Sequence, residues 1–226
     1  SAILNTKIEP IITRSKLPTG VAKVSNDGSF TVARGTAWEN ISVPISSGRD
    51  LQLLYFGSLA QVSKENRSSL KTLLDRKPKY VLVDLNLREN CYTKQTIEDC
   101  LYYATMLKVN EQEWSIVSEI TGINEPELLM RQKRLNAMAV TRGENGATLY
   151  SAAGAIEFQP NTIDLVDQTG AGDAFSALLA VGILINAHPA QALAASCQAG
   201  AVVASKKGAL VDLPRDILEA YKEEFS

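Results

Sequence analysis

Asp167-Gln168-Thr169-Gly170-Ala171-Gly172-Asp173-Ala174-Phe175 places an acid at each end of a small-residue turn that opens an apolar helix, predicted over 173–186. Gly170, Ala171 and Gly172 carry almost no side chain, so their backbone N–H groups can close on an anion, with the positive end of the helix dipole behind them. Asp173 stands at the start of that helix, aimed at whatever the anion hole holds. A base beside a phosphate cradle suggests phosphoryl transfer to a hydroxyl. The same letters also read as ordinary turn and capping residues, so the surrounding chain has to decide.

In open α/β sheets ligands collect at the carboxyl ends of the strands, and three further strand ends carry suitable residues. Asp84-Leu85-Asn86-Leu87-Arg88 follows one apolar run. Alternation puts Asp84, Asn86 and Arg88 on one side, where they can meet hydroxyls or a phosphate, or else form a surface ion pair with a turn. Asn110-Glu111-Gln112-Glu113 follows another. Hard cations take oxygen ligands and keep their waters, so Asn110 and Glu113 could hold a hydrated magnesium, although the pattern is also a capping box. Thr141-Arg142-Gly143-Glu144-Asn145-Gly146 supplies a hydroxyl and glycines that would suit a nucleotide or a plain β-turn.

The elements that must position these residues are legible as short continuous apolar runs at 51–56, 80–85, 105–109 and 137–141, separated by helix-length stretches near 64–76, 92–104 and 111–135. Continuous runs are buried on both faces, the mark of a parallel sheet between helical layers. Residues 146–150 and 155–158 read as a small antiparallel hairpin, and helices are predicted near 190–204 and 214–225. Upstream, an apolar run covers Ile8 to Ile12, and 21–24 and 30–33 flank Ser25-Asn26-Asp27-Gly28-Ser29 as a hairpin. Arg34 to Asn40 after it reads equally as a lid over a site or as a packed loop.

The 226 residues are 45% hydrophobic and 21% charged, with a net charge of −2, which suits one globular domain. No dense basic run exists for nucleic acid or an anionic membrane, and no apolar run has membrane-spanning length. Cys91, Cys100 and Cys197 lack metal-ligand spacing, so neither structural zinc nor a disulfide framework is expected, and a reduced cytoplasmic setting is. His188 reads as a loop residue between helices. Tyr102, Tyr103 and Trp114 read as core or interface packing, and Lys206-Lys207 as a solvated pair. The chain opens without Met, and the start of the native protein is expected to be missing.

Taken together the four strand ends resemble the PfkB/ribokinase family of carbohydrate kinases, and its fructokinase-like members in particular. The 167–175 segment looks like the family's C-terminal signature, Asn110 to Glu113 its N-x-x-E motif and Asp84 to Arg88 its D-x-N-x-R segment. Thr19-Gly20-Val21-Ala22, the hairpin and Arg34-Gly35-Thr36-Ala37 are similar to its lid, and Tyr55-Phe56-Gly57-Ser58-Leu59 to the strand that follows. The resemblance implies a three-layer α/β/α sandwich with a mostly parallel sheet and a small β lid around 19–37, forming one kinase domain over 1–226. It implies an ATP-dependent sugar kinase with Asp173 as base and Gly170, Ala171 and Gly172 as anion hole. Arg34, Asp84, Asn86 and Arg88 would bind the sugar, and Asn110 and Glu113 would hold magnesium through water. Thr141, Arg142, Gly143, Gly146, Cys197 and Gly200 would lie at the nucleotide, and Asp167 and Thr169 at potassium. Fructose is the expected acceptor, with 2-keto-3-deoxygluconate, ribose and nucleosides as alternatives, and a catalytically silent binding protein as the reading from another class. A homodimer through the lid is a further expectation. The family's longer front segment, with its own sugar-gripping Asp and a Gly-Gly-x-x-x-Asn stretch, is not in this sequence. Without it a sheet edge would be exposed, which is why that segment is expected to exist.

Overall fold

The computed structural model describes residues 15–24, 30–43, 50–219 and 221. The Ile8–Ile12 run, the Ser25–Ser29 turn and the end of the last predicted helix lie outside them. Two short strands, β1 (Ala22–Val24) and β2 (Phe30–Val32), pair antiparallel as the expected hairpin. The main sheet has six strands in chain order: β3 (Leu53–Gly57), β4 (Tyr80–Asp84), β5 (Met106–Asn110), β6 (Ala137–Thr141), β7 (Ala147–Ser151) and β8 (Gly154–Phe158). β3 to β6 are mutually parallel, and β7 and β8 continue the sheet antiparallel. The hairpin read at 146–158 is therefore the far end of the main sheet, with β3 the opposite edge among the described residues.

Helices cover both faces, giving a three-layer α/β/α sandwich with a mostly parallel sheet. One core joins Leu54, Phe56, Val81, Val83, Leu107 and Val109 to α1 (Lys64–Leu74), α2 (Lys94–Tyr103), α3 (Glu111–Thr121) and α4 (Pro126–Lys133). The alternate strand residues Leu82, Met106, Ala137 and Ala139 pack instead with α5 (Ala171–Leu184) and α6 (Pro189–Ala204). α5 and α6 also pack on α7 (Arg215–Glu219), where the buried Tyr221 hydroxyl donates to the Leu178 carbonyl at 3.0 Å. Strand parity thus assigns each residue to one helical layer, because neighbours along a strand point to opposite faces.

Two expectations need correction. The stretch 111–135 holds two helices: Gly122 takes a left-handed φ of 70° at the end of α3, and Pro126 opens α4. Alternation does not run through 84–88, since β4 stops at Asp84 and Asn86 has φ 44°. Tyr102 is 78% exposed and stacks edge-on against Tyr103 at 5.0 Å, so it is no core residue, whereas Trp114 packs partly buried on the first core. His188 caps α6, its Nδ1 accepting the Ala190 N–H at 3.3 Å. Cys91, Cys100 and Cys197 are free and buried. Among the described residues no helix is long and apolar enough to cross a membrane.

Candidate active site

Parity brings a row of polar side chains beneath the start of α5. On β3, β4 and β5 the residues on that face are Tyr55, Asp84 and Lys108, with Asp84 and Lys108 directly paired in register. Lys108 Nζ donates to Asp84 Oδ1 at 3.1 Å, and Ser176 Oγ of α5 donates to Asp84 Oδ2 at 2.9 Å. Asp84 is 2% exposed and Lys108 7%. A buried carboxylate must be compensated, and here a cation and a hydroxyl share its two oxygens. Lys108 Nζ also lies 3.3 Å from where a Cβ on Gly172 would stand, which places the ammonium directly behind the small-residue turn. Lys108→Met removes that charge and strands Asp84, and a loss of about 3–5 kcal/mol in chemical unfolding is expected. Asp84→Asn combined with it should recover most of the loss.

Above this row, Gly170 sits at φ 86° just before α5, and the Ala174 N–H donates to its carbonyl at 2.9 Å. Only glycine takes that conformation at little cost, and a Cβ there would press on Ala209 at 2.8 Å. The Ala171 N–H already donates to the Gln168 carbonyl at 3.2 Å, so of the three expected anion-hole residues it is Gly170 and Gly172 whose amides remain to be placed. Asp167 fastens the turn: its Oδ1 accepts the Thr169 N–H at 2.9 Å and its Oδ2 the Gly208 N–H at 3.0 Å. The nearby Thr169 side chain foremost, and then these two N–H groups, hold the Asp167 carboxyl below the usual carboxylate range. Asp173 follows in the first turn of α5, exposed, with its Oδ1 3.4 Å from the Tyr55 hydroxyl.

Asn110 and Glu113 form a complete capping box on α3. The Asn110 side chain accepts the Glu113 N–H and Glu113 Oε2 accepts the Asn110 N–H, both at 2.9 Å. Glu113 Oε1 also accepts the Leu87 N–H at 2.8 Å, so one buried carboxylate ties the loop after β4 to the start of α3. Burial raises its pKa, offset by the Asn110 N–H and by the charge of Lys108. Glu113→Ala leaves two backbone N–H groups without partners, and about 2–4 kcal/mol of stability should go with it, read from the unfolding midpoint.

The remaining predicted residues divide. Asn86 lines the cleft with Asp84 and Asp173, but Arg34 and Arg88 do not. Arg34 donates to Glu39 Oε1 at 2.8 Å in an exposed pair on the lid, and the Arg88 Nη1 lies 3.4 Å from the Leu87 carbonyl. At the end of β6 the Thr141 hydroxyl donates to the Val109 carbonyl, and Arg142 donates to the Thr148 hydroxyl at 2.6 Å. Gly143 and Gly146 both have positive φ in the tight turn between β6 and β7. The thiol of Cys197 is buried 3.9 Å from the Phe158 carbonyl, burial pushing its pKa up to about 12, which suits packing rather than reactivity. Gly200 lets α6 pass within 3.2 Å of the Ala171 carbonyl, measured from an added Cβ. Thr141, Arg142, Gly143, Gly146, Cys197 and Gly200 are all outside the cleft lining.

That cleft, of about 430 Å³, lies between the lid and the strand ends. Gly20, Val21, Ala22, Val32, Trp38 and Ile41 line one side; Tyr55, Gly57, Leu59, Asp84, Asn86 and Asp173 line the other. In the segment after the hairpin, Trp38 and Ile41 line the cleft while the backbone around them packs on α1. Asn66, buried on α1, donates to the Trp38 carbonyl and accepts the Ile41 N–H, each at 2.7 Å, which holds the Trp38 turn at the cleft mouth.

Tyr55 and Lys108 escaped the sequence reading because each sits inside an apolar run. The available signal was a lysine flanked by Leu107 and Val109, where burial on both sheet faces demands a partner.

The model of the pfkB family carbohydrate kinases matches residues 24–216. The chain belongs to that family. It is 27% identical over 191 residues to a fructokinase of Escherichia coli, covering 77% of this chain and 61% of that protein. To an aminoimidazole riboside kinase of Salmonella typhimurium it is 27% identical over 184 residues, covering 74% and 56%. The chain thus spans about three-fifths of the length of the curated relatives it matches. Among solved structures, a Vibrio cholerae O395 fructokinase in a fructose, ADP and calcium bound form superposes with TM-score 0.74 at 23% identity, over 89% of this chain and 72% of that one. The Salmonella enterica aminoimidazole riboside kinase, with its riboside and an ATP analogue, gives TM-score 0.71 at 24% identity, over 90% and 73%. At such identities these structures speak for the fold, which is the ribokinase-like sandwich of the family.

Proposed function

We propose that the protein is an ATP-dependent kinase that phosphorylates a monosaccharide hydroxyl, with fructose the acceptor most in keeping with its relatives. The observation that carries this reading is the placement of Asp173 on the first turn of α5, immediately after the Gly170–Gly172 turn and facing the cleft. The residues fit a transferred phosphoryl group: the turn is bare of side chains, backed by the helix dipole and by the Lys108 ammonium. Gly170 and Gly172 would donate to the phosphoryl oxygens, Asp173 would accept the proton of the attacking hydroxyl, and Asn86 would orient the sugar. Asp84 takes a supporting role, because both its oxygens are already engaged within the protein.

Magnesium, when bound, would neutralise charge on the nucleotide phosphates. Among the described residues no three His, Cys, Asp or Glu side chains converge, and both Glu113 oxygens already accept N–H groups. Magnesium keeps most of its waters, so Asn110 and Glu113 would act on it only through those waters, and we assign the Glu113 carboxylate first to the capping box. A monovalent cation beside Asp167 and Thr169 would meet a carboxylate already holding two N–H groups, so we assign that carboxylate first to fastening the turn. Thr141, Arg142, Gly143 and Gly146, with Cys197 and Gly200 behind them, are assigned to the nucleotide side.

The test is ADP release by the protein with magnesium-ATP against fructose, ribose, 2-keto-3-deoxygluconate, aminoimidazole riboside and inosine. Release that depends on fructose supports the reading. Nucleotide binding with no release for any acceptor would instead favour a silent binding protein.

A further inference from the structure

We propose that Tyr55 is a positioning residue for Asp173, its hydroxyl steering the carboxylate before an acceptor binds and turning to Asp84 when an acceptor hydroxyl arrives. This rests on the reading of Asp173 as the base. Tyr55 is the one residue in mid-β3 that turns away from the core filled by Leu54 and Phe56, and at 44% exposure its ring forms part of the cleft wall. Its hydroxyl lies 3.4 Å from Asp173 Oδ1 and 3.5 Å from Asp84 Oδ2. A phenol has one proton and can serve one of these carboxylates at a time.

The surroundings rank the two. Asp84 receives Lys108 on one oxygen and Ser176 on the other, and the ammonium neutralises its charge. Asp173, exposed at the cleft, holds no such cation among the described residues, so the phenol proton is drawn to it first. Burial and the two neighbouring acids push the Tyr55 pKa up, which keeps the hydroxyl a donor. The two contacts are of nearly equal length, and a turn of the O–H bond exchanges one for the other without moving the ring. Tyr55 keeps its proton throughout. When the sugar hydroxyl docks, its own proton goes to Asp173 and its oxygen bonds to the γ-phosphorus as the bond from that phosphorus to ADP breaks, while the Tyr55 O–H points to Asp84 Oδ2.

Tyr55→Phe removes the hydroxyl and keeps the ring. We expect kcat to fall about tenfold, the size of one charge-assisted hydrogen bond, with KM for ATP and acceptor within about twofold and the unfolding midpoint unchanged. A fall in kcat smaller than about threefold overturns the proposal whatever KM does, because a plain wall residue would act on acceptor KM alone. The two readings fail separately. Turnover retained in Asp173→Asn removes the base itself; turnover lost there but intact in Tyr55→Phe removes only the part given to the tyrosine.

Discussion

Asp173→Asn should lower kcat by about 10³-fold while nucleotide affinity stays within about twofold. The substitution keeps the size and reach of the side chain and removes its charge and its capacity to take a proton. Asp173 is exposed in the first turn of α5, packs into no core and makes no salt bridge among the described residues, so the fold should not register the change. Nucleotide affinity measured by calorimetry beside steady-state turnover separates the two effects. A loss of both together would mean that Asp173 builds the phosphate cradle rather than the base.

Gly170→Ala is expected to cost about 10²-fold in kcat, through the anion hole. The reasoning is steric. At φ 86° any Cβ is strained, and here it would also meet the Cβ and backbone of Ala209 at 2.8 to 3.2 Å. Ala209 cannot easily retreat, because the neighbouring Gly208 is pinned by its N–H to Asp167. The turn itself must then shift, taking the amides of Gly170 and Gly172 with it. Donors placed for a developing charge lose most of their effect when displaced by a fraction of an ångström. Gly172→Ala makes a useful comparison, since its Cβ would meet only the flexible end of Lys108, and a smaller loss is expected there.

Much of this site was legible from residue order. The small-residue turn at Gly170–Gly172, the acid that follows it and the strand ends at Asp84, Asn110 and Thr141 all lie where apolar runs and turn residues put them. What stayed hidden follows from tertiary pairing. Asp84 reads as a sugar ligand from its position after a strand, yet the lysine that neutralises it belongs to the neighbouring strand, and nothing local pairs residue 84 with residue 108. Glu113 reads as a capping residue and is one, but its second oxygen holds Leu87, a contact that exists only once β4 and β5 lie side by side. The hairpin at 146–158 carries its own turn signal and no sign that β7 will pair with β6. Arg34 reads as a sugar contact from its place beside the hairpin, and nothing local tells that Glu39, close by in the same segment, pairs with it.

The most direct measurement is phosphorus NMR on the protein with magnesium-ATP and fructose. A phosphomonoester signal on the sugar, growing in step with ADP and absent with Asp173→Asn, is the predicted result. ADP accompanied only by inorganic phosphate, or a sugar phosphate formed equally by Asp173→Asn, would contradict the account.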